Sequence, residues 1–389
     1  MSEVREAMSG AKYQAARAVA ETVRDYFARR LAAARERRPQ VLAPEADAAT
    51  IEAIINTAFW ASLRREEGYS PKISLAFLPP EEAGHPLRFE KELPLSAGAL
   101  AKVAPAVERP GLHLGVWRNP GGELRVWGTT RSIPKLCFVL EVVEPGLLVV
   151  KYRRGQEASK FVNVAVLQGD QIKIVDERGT SLPDCPELLT SLLGFGAPAP
   201  VAGAEPVNAL VQLAASMRAH RRGGSLLVVP HGSENWRESI LRPVTYAVAP
   251  AFSELAELMR RDAEEKSRQR WQEAFIDAVD AIAGLTAVDG ATVISDRFEL
   301  LAFGAKIGRR DGGAQVTEVI LTEPVIDGEA EPVHPTRLGG TRHLSAAQFV
   351  HDQTDAVALV ASQDGRFTVF AWSPCENRVH AHRVDILLM

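Results

Sequence analysis

The chain has 389 residues, 46% of them hydrophobic and 24% charged, with a net charge of −4. A single core rarely grows past about 250–300 residues, so two soluble globular domains are expected. The small negative charge gives no global field for nucleic acid, no apolar run approaches the roughly 20 residues that span a bilayer, and the polar first eleven residues carry no apolar signal core, so a cytoplasmic protein with no membrane partner is expected.

From the N-terminus, Val19, Val23, Phe27 and Leu31 recur every four residues and predict a helix over 12–37. Arg17, Arg24, Arg29, Arg30, Arg35, Arg37 and Arg38 cover much of the rest of it. Glu21, Asp25 and Glu36 are interspersed, which marks a solvated face rather than a surface for nucleic acid or acidic lipid. A second helix is predicted over 49–65, with Ile51, Ile54, Ile55, Ala58, Phe59 and Leu63 inward. The period then drops to two over 72–78. Three hairpins follow, turning at Asn119-Pro120-Gly121-Gly122, Glu144-Pro145-Gly146 and Gly169-Asp170. Residues 70–178 therefore read as a mostly antiparallel sheet. With the two leading helices they make an α+β domain over 1–193. Within it, Gly128-Thr129-Thr130-Arg131 reads as a turn, with exposed amides for an anion as the alternative. Trp117 and Trp127 read as a cross-strand pair, with a pocket lining as the alternative. Cys137, Cys185 and Cys375 are far apart and match no metal-ligand spacing, which fits buried thiols in a reducing compartment.

Residues 194–206 are rich in Gly, Ala and Pro and read as a linker. Beyond it, a helix is predicted over 208–220 and a strand over 223–230. A long helical stretch follows from Phe252 through the charged segment 260–270 to Ile282. Asp289-Gly290-Ala291 leads into the β-branched run Thr292-Val293-Ile294. Gly340-Thr341-Arg342-His343 leads into a helix start at 345–350, and 356–360 is a further strand. These elements predict an α/β domain over 207–389, with a mixed central sheet flanked by helices. A carboxylate at a strand end can hold a divalent metal. Amides and an arginine at a helix start can hold phosphate. Each piece alone has a plainer reading: Asp-Gly before a strand is ordinarily a turn, and Thr341 or Ser345 can cap a helix with no ligand present. His380 and His382 are a metal-binding pair without a third partner, and His231-Gly232-Ser233 reads as a turn. No phosphate-binding loop of the G-x-x-x-x-G-K-[ST] type and no G-x-S-x-G elbow occurs.

Taken together, D-G-A at 289–291 and G-T-R-H at 340–343 resemble the diadenylate cyclase (DAC) domain of bacteria. Gly223-Gly224-Ser225-Leu226-Leu227-Val228-Val229-Pro230 is similar to the first core strand of that family. Residues 354–367 are similar to the strand and hairpin after its G-T-R-H helix. The resemblance covers about 207–375. The α+β domain ahead of it resembles the probable sensor domains carried by such cyclases, of the class called DACNV, with a ligand that no motif names. The resemblance implies a face-to-face homodimer that condenses two ATP into cyclic di-AMP, with Mg2+ or Mn2+. It implies that Asp289 binds the metal and activates the ribose hydroxyl. Gly290 and Ala291 would admit the nucleotide, Gly340 would make the tight turn, and Thr341, Arg342, His343 and Ser345 would hold the triphosphate, with His343 also reaching the metal. Three departures stand out. Leu344 replaces a second arginine, Gly339 replaces an acidic residue, and Thr286-Ala287-Val288 replaces Pro-Leu-His. Arg309 and Arg310 are candidates to make up the missing charge. The alternatives are a nucleotide sensor that has lost turnover, or a cyclase with a different cyclic dinucleotide product.

Overall fold

The computed structural model describes residues 12–37, 42–153, 161–176, 208–266 and 268–389. The predicted linker at 194–206 and Cys185 lie outside them. The chain divides into two compact units, one up to Val175 and one from Asp176 to Leu388. Each has its own mixed sheet and helices, so the chain is α+β overall.

In the first unit, helices α1 (Gln14–Arg37), α2 (Ala48–Ser62) and α3 (Ala97–Val103) accompany an eight-stranded sheet. Its strands are β1 (Ile73–Phe77), β2 (Leu87–Pro94), β3 (His113–Arg118), β4 (Leu124–Thr130), β5 (Val139–Glu144), β6 (Leu147–Arg153), β7 (Phe161–Gln168) and β8 (Gln171–Ile174), in the order β2-β4-β3-β1-β5-β6-β7-β8. Neighbouring strands in this sheet pair antiparallel, except β1 with β3. The apolar stripe of α1 and that of α2 enter one core with Ile73, Leu75 and Phe77. The Tyr13 ring stacks on Phe59 at 3.7 Å. The Asp47 carboxylate caps α2 by accepting from the Thr50 amide at 2.7 Å, which satisfies one of the orphan amides at the helix start.

Two expectations change here. Gly128, Thr129 and Thr130 are not a turn but the end of β4. A Cβ on Gly128 would lie 2.0 Å from the Leu87 carbonyl oxygen, so the glycine lets β2 close onto β4. Trp117 and Trp127 are not opposite each other either. A register shift between Gly115 and Val116 sets Trp117 against Arg125, and Trp117 packs on Phe77 instead, at 4.7 Å. The Trp127 indole lies over Gly115 and donates to the Leu78 carbonyl at 2.9 Å. A Cβ at Gly115 would fall 2.0 Å from that ring. Gly115→Ala is therefore expected to destabilise this unit by about 1–3 kcal/mol through overpacking, read as a lower urea midpoint in tryptophan fluorescence. An unchanged midpoint would mean that the indole can swing clear.

The second unit holds a nine-stranded sheet. Its strands are β9 (Gly224–Val229), β10 (Tyr246–Phe252), β11 (Ala291–Ser295), β12 (Leu300–Ala305), β13 (Val319–Thr322), β14 (Glu331–Val333), β15 (Val357–Ala361), β16 (Phe367–Ser373) and β17 (Arg378–Arg383). The order is β10-β12-β11-β9-β15-β16-β17-β13-β14, with β9–β11 and β13–β17 parallel. Helices α4 (Ala209–Ala219) and α7 (Gln269–Leu285) bury Leu213, Met217, Phe275 and Ile282 against Leu226, Val228 and Leu359. Helix α8 (Thr341–Asp352) buries Ala346, Phe349 and Val350 against Leu227, Val229, Ala358 and Val360. Alternate residues of β9 and β15 thus enter different cores, as the period-2 geometry of a strand requires. The predicted long helical stretch is broken into α5 (Glu254–Arg260), α6 (Ala263–Lys266) and α7, and its first residue, Phe252, ends β10. Cys137 is buried as expected, whereas Cys375 is exposed in the turn between β16 and β17.

Buried histidines give both units an acid sensitivity. Burial, helped by the Lys151 and Arg153 charges, pushes His113 down to about 4, and burial with the neighbouring His380 pushes His382 down to about 3. An unfolded histidine titrates near pH 6.5. Below that pH the unfolded chain binds protons that the folded chain refuses. The stabilisation is thus complete above about pH 6.5 and is lost as pH falls toward 4, by roughly 3 kcal/mol per histidine at most. A urea midpoint that drops between pH 7 and pH 4.5, less steeply in His113→Gln, is the expected result. A pH-independent midpoint would contradict it.

Candidate functional site

The two sequence motifs meet at one end of the second sheet because of strand direction. Parallel pairing puts the starts of β9 and β11 side by side, with Ser225 opposite Ala291. Gly223-Gly224 and Asp289-Gly290 therefore open the same edge. Antiparallel pairing brings the ends of β12 and β15 to that edge, with Ala305 opposite Ala291 and Ala361 opposite Gly224. The Gly224 side of the edge is closed by α7, whose last turn packs so tightly that a Cβ on Gly224 would lie 2.5 Å from the Thr286 hydroxyl. That contact explains why residue 224 is a glycine.

Asp289 projects into solvent, with 86% of its side chain exposed, and pairs with the ammonium of Lys306 just past β12. Lys306, and more weakly Arg342 and the Gly290 amide, hold its carboxyl below the usual range, so it is ionised at neutral pH. The Arg342 guanidinium reaches over Gly223, where a Cβ would come within 3.0 Å of its Nη1. Gly290 adopts φ +113, and a Cβ there would lie 2.5 Å from the Gly304 carbonyl carbon. The glycine is required for β11 to approach β12. Ala291 is buried as the first residue of β11.

Helix α8 begins at Thr341, four residues ahead of the predicted start, so the whole G-T-R-H motif forms its first turn. Gly340 is the N-cap and supplies no capping side chain. The His343 and Leu344 amides return to the Gly340 carbonyl, at 3.1 and 3.5 Å. The amides of the helix positions ahead of them, Thr341 and Arg342, have no preceding carbonyl within the helix, the kind of group that can donate hydrogen bonds to an anion. Ser345 is one turn inside the helix, where its amide is committed to the helical ladder. His343 is buried, with 2% of it exposed. Its Nε2 lies 3.5 Å from the Thr368 hydroxyl, and its ring meets the Phe370 ring edge-on at 6.1 Å. Burial pushes it down to about 4, so it is neutral at pH 7. Its Nδ1 would stand 2.3 Å from a Cβ on residue 339. Gly339 thus makes room for the inward imidazole, and any side chain at that position would collide with it.

The residue after the motif, Leu344, is half-buried and packs against the α8 core. Arg310 is engaged elsewhere. Its Nε lies 2.8 Å from Glu238, and its amide donates to Asp352 at 3.0 Å. Lys306 is the site cation that the motifs did not announce, because it stands 17 residues beyond Asp289 and belongs to neither of them.

For a divalent metal, Asp289 offers an ionised, accessible carboxylate, which suits an Mg2+-type site completed by phosphate oxygens and water. The buried imidazole of His343, with one nitrogen against Thr368 and the other against Gly339, does not fit that site. His380 and His382 are also buried, with rings 5.6 Å apart, and the Nδ1 of His382 is 2.7 Å from the Thr322 hydroxyl. Among the described residues, no group of three His, Cys, Asp or Glu side chains is placed to hold a metal. The His231 segment is the expected turn, with its Nδ1 2.6 Å from Glu299. A separate cavity of about 720 Å³, lined by Arg237, Arg242, Pro243, Val244 and Ala247, contains none of the predicted site residues.

No helix among the described residues is long and apolar enough to cross a membrane. No curated protein matches the chain. Among solved structures, it is similar to DacA from Staphylococcus aureus, crystallised as a double mutant, at 14% identity and a TM-score of 0.23, over 44% of this chain and 83% of that one. Residues 40–131, which run from ahead of α2 to just past β4, match the family described as the probable sensor domain DACNV.

Proposed function

We propose that the second unit is a diadenylate cyclase that condenses two ATP into cyclic di-AMP and two pyrophosphates across a face-to-face homodimer, and that the first unit regulates it by binding a ligand. The observation that carries the reading is the convergence of Asp289, Lys306, Arg342 and the start of α8 on one sheet edge. The match of residues 40–131 to a probable sensor domain supports the regulatory half.

In this reading the 3′ oxygen of one ATP bonds to the α-phosphorus of the other. The bond from that phosphorus to the pyrophosphate oxygen breaks, and pyrophosphate leaves with the electron pair. The second subunit repeats the step, so one nucleotide per subunit suffices. Asp289, kept ionised by Lys306 and Arg342, accepts the hydrogen bond and then the proton of the 3′-hydroxyl. Arg342, Lys306 and the Thr341 and Arg342 amides offset the charge that grows on the phosphoryl oxygens. Asp289 would hold the divalent metal, which when bound adds Lewis-acid charge to the phosphates. His343 acts from within, fixing the first turn of α8 through Thr368 and Gly339.

The test is to incubate the purified chain with ATP and Mg2+ or Mn2+ and to resolve products by chromatography and mass spectrometry. Cyclic di-AMP in the wild type and none in Asp289→Ala supports the reading. A second reading, a nucleotide sensor without turnover, is favoured by one observation: Leu344 spends on the core a position where DAC domains place a second phosphate-binding arginine. ATP binding with no product would select it, and a product of another mass would point to a different cyclic dinucleotide.

A further inference from the structure

The edge strand β10 carries an aromatic side chain that none of the roles above uses. Tyr246 stands opposite Phe303 in the β10–β12 register. The two rings stack at 4.7 Å and 12°. Phe303 covers one face of the phenol, yet Tyr246 remains 47% exposed. Its position relative to the site is fixed by Gly304, which has φ +62. A Cβ on Gly304 would come within 2.8 Å of the Tyr246 ring and within 3.5 Å of the Asp289 carbonyl oxygen. The ring therefore borders the residue that carries the Asp289 carboxylate, with only the bare glycine backbone between them. A cross-strand aromatic pair accounts for the stacking. It does not call for a ring that stays half exposed beside the Asp289 backbone.

We infer that Tyr246, backed by Phe303, is the platform on which the base of the bound nucleotide stacks. The inference rests on the proposal that this site binds a nucleotide. Phosphates drawn to Arg342, Lys306 and the start of α8 leave the base to be held by something apolar and flat, and Tyr246 is an exposed, pre-oriented ring at that rim. Every base has a π-face, so stacking of this kind discriminates by ring area rather than by hydrogen-bond pattern. Tyr246 thus favours purines over pyrimidines and contributes little to the choice between adenine and guanine.

The experiment measures equilibrium binding of ATP, GTP, CTP and inorganic tripolyphosphate to the full chain and to Tyr246→Ala and Tyr246→Phe. Tyr246→Ala is expected to weaken ATP and GTP by roughly 5- to 100-fold and to leave tripolyphosphate unchanged. Tyr246→Phe keeps the wild-type order. Equal ATP affinity in wild type and Tyr246→Ala overturns the inference while leaving nucleotide binding intact. A parallel loss of tripolyphosphate overturns it too, because it marks damage to the strand rather than to a base contact. Tripolyphosphate and ATP bound equally tightly by the wild type would overturn it directly. Wild type that binds neither removes the nucleotide reading itself.

Discussion

Asp289→Asn is expected to cut cyclic dinucleotide formation by roughly two to four orders of magnitude without unfolding the protein. The side chain is almost wholly in solvent, held by Lys306 and the Gly290 amide rather than by the core, so its change leaves the core intact. The amide is nearly the same size but cannot take up a proton from a ribose hydroxyl. It also removes the counter-charge of Lys306, which leaves the site more positive. ATP should therefore bind at least as well in the absence of metal, and the defect should fall on kcat rather than KM. Arg342→Ala should behave differently. Losing one charge-assisted contact to phosphate costs about 1.5–3 kcal/mol, or one to two decades, and affects binding as well as turnover. Steady-state product formation read by mass spectrometry separates the two. An Asp289→Asn enzyme of wild-type rate would sink the proposed proton acceptor.

Gly290→Ala is expected to destabilise the second unit by about 2–6 kcal/mol. A non-glycine residue at φ +113 stores about 1–3 kcal/mol of strain. The new methyl would also sit 2.5 Å from the Gly304 carbonyl carbon and 2.9 Å from the Ala305 amide nitrogen. Both are backbone atoms, so relief requires β11 and β12 to part, which adds about 1–3 kcal/mol. Urea unfolding followed by circular dichroism gives the shift. A midpoint within error of the wild type would mean that the strands separate at no cost, and that the glycine serves the ligand alone.

These two residues were legible in the sequence because each belongs to a short motif with its own local chemistry. The hairpins at 119–122, 144–146 and 169–170 were legible for the same reason: turn residues act within four positions. β10 and β12 were not read. β10 is an edge strand with little buried surface and so lacks alternation, and β12 ends in a glycine at φ +62 followed by Ala305. Missing β12 also hid Lys306, whose partnership with Asp289 exists only once β11 and β12 pair. The position of His343 was obscured by similar means. Its burial depends on Gly339 and Thr368, one a glycine outside the G-T-R-H motif and the other 25 residues away. Sequence motifs name the candidate residues, and tertiary pairing decides which of their side chains face solvent.

The Asp289–Lys306 pair has a bearing on what the site will accept. Each charge is already matched by the other, so a simple anion that recruits Lys306 strands the carboxylate, and a lone cation that recruits Asp289 strands the ammonium. A ligand that presents both signs together, such as a polyphosphate escorted by its own cation, can swap partners on both sides at once. In the proposed nucleotide reading the pair therefore links phosphate and Mg2+ as co-ligands, and because both side chains are solvent-exposed that coupling is weak and fades with salt.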